Sequence, residues 1–179
     1  MNPRDESLFF TDPQIEPSLP GEFSTLYLLR RDTESCLARE ILWPGAMCVM
    51  AGIDLLGKFF DGRDSGGSGR RFCAFVRRYL HLTTPDAEAL YQLRNALLHS
   101  FGLFSAARTG GYRFQLRAEG NHARIVEHLP TGVVTVDLIC LREGFDAAVN
   151  EYRNDLQTDP MLRKNFHIMF PRYGTIPIR

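Results

Sequence analysis

Thr84-Pro85-Asp86-Ala87-Glu88-Ala89-Leu90-Tyr91-Gln92-Leu93-Arg94-Asn95-Ala96-Leu97-Leu98-His99 is the stretch on which the reading of this chain turns. Its start is marked chemically. Thr83 and Thr84 offer capping hydroxyls, Pro85 suits a first helical turn, and Asp86 complements the positive end of the helix dipole. The helix is expected to reach about Ser100, with Gly102 available to end it. On a wheel of about 100° per residue with Leu90 at zero, Phe101, Leu98, Tyr91, Leu97 and Leu93 form one apolar arc. Arg94 falls inside that arc, at about 40°. A guanidinium on a core-facing stripe is costly unless an acid or a polar cavity answers it. Asn95 and His99 lie one turn apart on the other side, near Glu88. A straight helix sets Arg94 and His99 about 140° apart, so two copies of the helix sharing one cleft would bring them together more naturally.

Working backwards, Arg70 to Leu82 reads as an amphipathic helix carrying Arg70, Arg71, Arg77 and Arg78. Its basic face is either simply solvated or an RNA-facing surface, in which case Arg77 and Arg78 would bind substrate. Asp61 to Gly69 is glycine-rich but lacks the Gly-Lys-Ser/Thr of a phosphate-binding loop and is expected to be a flexible linker. Ala46 to Phe60 is the most apolar segment and should be the central buried helix. Asp54 within it either pairs with Lys58 one turn on or is a buried acid answering an arginine elsewhere. A helix over about Phe23 to Leu42 is expected, broken by Trp43-Pro44-Gly45. Residues 1–22, polar and proline-rich, are expected to form a flexible segment ahead of a single domain over 23–179.

Working forwards, the period changes. Tyr112 to Arg117, Ala123 to Leu129 and Val133 to Ile139 read as two or three strands of a small antiparallel insertion around 111–140, with turns at Gly120-Asn121 and Thr131-Gly132. Leu141 to Leu156 returns to helix, and Pro160 to Phe170 forms a short one. The expected fold is mainly α, a bundle of four to five helices with a small β insertion after the Arg94 helix.

Composition sets limits. The 179 residues carry 21 basic and 21 acidic side chains, so a general nucleic-acid coat is not indicated. The balance is uneven. Residues 61–117 hold 9 basic and 4 acidic groups, a local excess of five. Only Lys58 and Lys164 are lysines; the remaining basic residues are arginines, which suit bidentate phosphate contacts. Met1 to Pro20 lacks a basic start followed by an apolar run, and no apolar run is read as reaching membrane-spanning length, so a cytoplasmic protein is expected. Cys36, Cys48, Cys73 and Cys140 form no C-x-x-C pair and read as small buried hydrophobes. His122 and His128 flank a strand and read as surface groups. His81 sits at a helix end, and His167 reads as packing. No hydrolase, zinc-protease or dinucleotide fingerprint occurs, and neither metal nor cofactor is expected.

Arg94, Asn95 and His99 spell R-N-x-x-x-H near the end of a core helix. With the order of helices from about Thr33 to Gly102, this resembles the HEPN superfamily, whose members carry an R-x4–6-H motif there. The resemblance implies a homodimer with motif helices facing across a two-fold axis, and metal-independent endoribonuclease activity. Arg94, His99 and Asn95 would be the catalytic residues, and RNA the substrate. It also implies an antitoxin or nucleotidyltransferase as a candidate partner. Members silenced by a nucleotidyltransferase often read R-x4-H-x-Y, and here that tyrosine position is Phe101, which has no hydroxyl to modify. The alternative is a catalytically silent scaffold of the same kind that binds RNA, a nucleotide or a protein. A third reading is a small-molecule site in the Arg94 pocket.

Overall fold

The computed structural model describes residues 3–15, 22–99, 102–107, 110–120 and 124–177. Among them are seven helices: α1 (Pro3–Phe9), α2 (Thr25–Leu37), α3 (Leu42–Asp61), α4 (Ser68–Tyr79), α5 (Thr84–His99), α6 (Leu138–Thr158) and α7 (Pro160–Tyr173). Six strands accompany them: β1 (Glu22–Ser24), β2 (Phe104–Ala107), β3 (Gly110–Arg117), β4 (Val126–His128), β5 (Val133–Asp137) and β6 (Thr175–Pro177). The fold is therefore mainly α with a small sheet, with more helices than the four to five expected.

α3 is the axis. It packs against α2, α4, α5, α6 and α7, and Val49, Met50, Ile53, Leu56 and Phe59 are each at most 1% exposed. By length and composition it is apolar enough to cross a membrane, contrary to the expectation that no segment reaches that length. Its all-round contacts within the fold account for its apolar character. Its start also differs from expectation. Trp43-Pro44-Gly45 lies in the first turn rather than breaking a helix, since a proline there loses no needed hydrogen bond. The break falls at 38–41 instead. Gly52 faces Phe145 of α6 so closely that a Cβ would lie 2.6 Å from the ring Cζ. Phe145 is 1% exposed and cannot swing away. Gly52→Ala is accordingly expected to destabilise the fold by about 1–3 kcal/mol, read as a lower midpoint in thermal unfolding.

Within the flexible segment expected over 1–22, the described residues 3–15 include two that are packed into the core. Phe9 is fully buried and Phe10 6% exposed. Phe9 stacks on Phe59 at 4.5 Å between ring centroids and meets Phe166 edge-on at 5.4 Å. Two adjacent aromatic rings outweigh the polar, proline-rich composition around them. Ser24 ties this segment down: its hydroxyl donates to the Phe9 carbonyl at 2.8 Å and caps α2 by accepting from the Tyr27 amide. β1 then pairs antiparallel with β6.

The sheet after α5 has strand order β2-β3-β5-β4. β2–β3 and β5–β4 are antiparallel, but β3 and β5 are parallel, Phe114 facing Val134. The antiparallel insertion expected is thus corrected to a mixed four-stranded sheet. β4 thus lies at the edge, one strand position beyond the neighbour of β3, and β5 fills the gap between them. Gly132, at φ 77°, makes the β4–β5 turn. Asp137 ends β5 and caps α6, its carboxylate accepting from the amides of Ile139 and Cys140 at 3.0 Å each. It also lies 3.5 Å from Arg117 Nε. Burial disfavours its charge, yet the amides of Cys140, Gly120 and Glu119 outweigh that and hold the carboxyl below its ordinary value of 3.8. A depressed folded pKa contributes stability above the unfolded value and loses it as pH falls through the folded one. The stability difference between the native chain and Asp137→Asn is therefore expected to be full at neutral pH and to close below about pH 4 in acid titrations followed by circular dichroism.

Candidate active site

Thr83 caps α5 reciprocally with Asp86, its hydroxyl donating to the carboxylate at 2.6 Å and accepting from the Asp86 amide at 3.4 Å. The helix buries Ala87, Ala89, Leu90, Leu93, Ala96 and Leu97. That fixes its rotation, so Arg94 starts on the core side facing α3. There Asp54 meets it. Arg94 Nη2 donates to Asp54 Oδ2 at 2.9 Å, with side-chain exposures of 13% and 14%. Of the two partners open to Asp54, the distant arginine is the one it takes.

The other arm of the guanidinium turns outward. Arg94 Nη1 donates to Asn95 Oδ1 at 3.1 Å and lies 2.7 Å from His99 Nε2. A guanidinium only donates, so Nε2 must accept. The imidazole in this arrangement is therefore neutral, with its proton on Nδ1. Arg94, Asn95 and His99 thus meet within one chain. The wheel separates their Cα directions correctly but ignores reach: four side-chain bonds carry the guanidinium around the helix to the last turn. Convergence does not require a second copy of the helix.

The cluster grades from buried to open. Asp54 and Arg94 are mostly enclosed, whereas His99 is exposed. Among the described residues Asp54 Oδ1 and Arg94 Nε have no hydrogen-bond partner, although both are buried. Asp54 therefore belongs to the site, a member that the R-N-x-x-x-H spacing does not include. The signal for it was an acid in the middle of the most apolar segment of the chain.

Arg77 and Arg78 are not brought to this cluster. With Thr83 and Thr84 they line a groove of about 420 Å³ at the opposite end of α5. Ten residues of helix separate Thr84 from Arg94, about 15 Å. Arg78 is moreover paired with Asp155 at 3.0 Å. The other histidines also lie apart: His81 contacts Glu151 and His128 contacts Asp86. His122 and Phe101 lie outside the described residues.

Cys36, Cys48, Cys73 and Cys140 are half-buried, rather than fully buried. Burial, with Glu88 beside it, pushes the Cys73 thiol up to about 11, so it is a poor nucleophile at neutral pH. Among the described residues no group of three or more His, Cys, Asp or Glu side chains could hold a metal ion. Comparison of the chain with family models, with curated proteins and with solved structures gave no match.

Proposed function

We propose that this protein is a HEPN-like, metal-independent endoribonuclease acting as a homodimer, with Arg94 and His99 as its catalytic residues and Asn95 as the group that orients them. The observation that carries this reading is the guanidinium of Arg94, anchored by Asp54 on one arm and lying 2.7 Å from the His99 imidazole on the other. Self-cleavage of RNA needs a proton acceptor for the 2′-hydroxyl, a cation for the phosphorane oxygens and a donor for the leaving 5′-oxygen. The Nε2 lone pair of His99 suits the first task. Arg94 suits the second: a phosphate oxygen would compete for the Nη1 protons now shared between Asn95 and His99, freeing the imidazole. The 2′-oxygen attacks phosphorus, its proton passing to His99. The bond from phosphorus to the 5′-oxygen breaks as that oxygen gains a proton from the matching side chain of a second copy, which enters this step as an imidazolium and is left neutral. The products are a 2′,3′-cyclic phosphate and a 5′-hydroxyl.

Incubating the purified protein with single-stranded RNA in excess EDTA tests this directly. Cleavage is expected to persist, and the fragments to carry cyclic-phosphate and 5′-hydroxyl ends. Light scattering is expected to give twice the chain mass. RNA left whole over prolonged incubation would favour the silent binding scaffold. That second reading draws on the same pair, because Asp54 already neutralises much of the charge that a phosphate would seek.

A further inference from the structure

We infer that the Phe104 ring is a stacking platform for an unpaired nucleobase, which makes single-stranded rather than duplex RNA the substrate. The inference rests on the nuclease reading for the position of the scissile bond and on separate geometry for the platform itself. Gly102 donates its amide to the Ala96 carbonyl at 3.0 Å, so the chain leaves α5 and turns back along it. Ser105 then points inward, its hydroxyl donating to Gln92 Oε1 at 2.8 Å. Gln92 and His99 lie about 20° apart on the wheel, so β2 runs along the His99 side of α5. Phe104, next to Ser105, points to the opposite face of the strand. Five residues from His99, it lies within about 18 Å of it, a reach of a few nucleotides.

The ring is 53% exposed. Its outer edge rests on Gly111, where a Cβ would come within 2.7 Å of Cε2 and 2.8 Å of Cζ. Arg113 stands directly across the ladder from Phe104 and, like Gln115 further along β3, is exposed. An exposed ring steadied at its edge by bare backbone and flanked by a guanidinium suits a base with its phosphate. The same surroundings disfavour a protein partner. One ring among polar neighbours falls far short of the roughly 800 Å² per side that a stable protein interface buries. β2 is an edge strand, so a strand of RNA can pass around its free side, which a stiff duplex cannot do.

The test measures binding of a fluorescent, 2′-O-methylated single strand, which lacks the attacking hydroxyl and stays whole. Phe104→Ala is expected to weaken binding by about 5- to 100-fold. Gly111→Ala, which unseats the ring and leaves it in the protein, is expected to produce a smaller loss. Phe104→Trp should retain affinity, and the weak binding of duplex RNA should be the same for all variants. Three results would overturn the platform: unchanged single-strand affinity in Phe104→Ala, an equal loss for duplex, or a change in oligomeric mass. Cleavage of unmodified RNA, followed in parallel, keeps the two ideas apart. A strand bound through Phe104 but never cut removes the nuclease and leaves the platform; cutting with affinity indifferent to Phe104 does the reverse. A native chain that binds no RNA ends both.

Discussion

His99→Ala is expected to lower RNA cleavage by about 10²–10⁴-fold while leaving the fold as stable as the native chain within about 0.5 kcal/mol. The two halves of that result come from the same fact. His99 is exposed at the last turn of α5, so its removal opens no cavity and strands no buried charge. What disappears is the imidazole whose Nε2 lone pair is assigned to the proton of the 2′-hydroxyl. Cleavage rates with end-group identification give the first measurement, and thermal unfolding the second. An intact rate in His99→Ala would remove the imidazole from the mechanism. A collapse in stability would show that His99 holds the end of the helix rather than acting on RNA.

The second large effect concerns Asp54. Asp54→Ala is expected to cost about 3–5 kcal/mol, because it leaves the Arg94 guanidinium mostly enclosed with its anchoring acid gone. For a chain of this length that corresponds to a fall of about 6–20 °C in the unfolding midpoint. Pairing Asp54→Leu with Arg94→Met is expected to recover most of the loss, since an apolar pair of similar volume removes both charges together. The double-mutant cycle then measures their coupling, and a coupling near zero would mean that the 2.9 Å contact has no weight. Arg94→Lys completes the set. One ammonium keeps the charge beside Asp54 but cannot also reach Asn95 and His99 as a planar fork does. Stability close to native with cleavage lost is the expected outcome; cleavage retained would reduce Arg94 to a structural ion.

Local chemistry was legible in the sequence and distant geometry was not. The start of α5 could be read because Thr83, Pro85 and Asp86 act within one turn, and the structure shows that cap bonded as the residue types suggest. Arg94 could be flagged because one charge on an apolar arc violates a periodicity sixteen residues long. Its partner across α3 was one of two readings, since the sequence cannot say which helix faces which. The meeting of Arg94 with His99 was missed because a helical wheel plots Cα directions and not side-chain length. The three-residue β1 and β6 are too short to show any alternation. The parallel pairing of β3 with β5 leaves no mark, because strand periodicity encodes faces and not direction. α1 was hidden in a different way: Phe9 and Phe10 were in plain view, but composition averaged over the segment concealed them.

The crossing between β3 and β5 also bears on how the molecule assembles. β2–β3 and β4–β5 are each closed by a few residues, so each hairpin can form on its own within microseconds. The parallel seam joins residues twenty apart, Phe114 with Val134 for example, and requires the intervening chain to be laid down first. Refolding is therefore expected to run in two stages, two ready hairpins followed by their slower union. Until that union the flank of α5 carries only half its wall, so the proposed RNA cleavage should return after helical signal does.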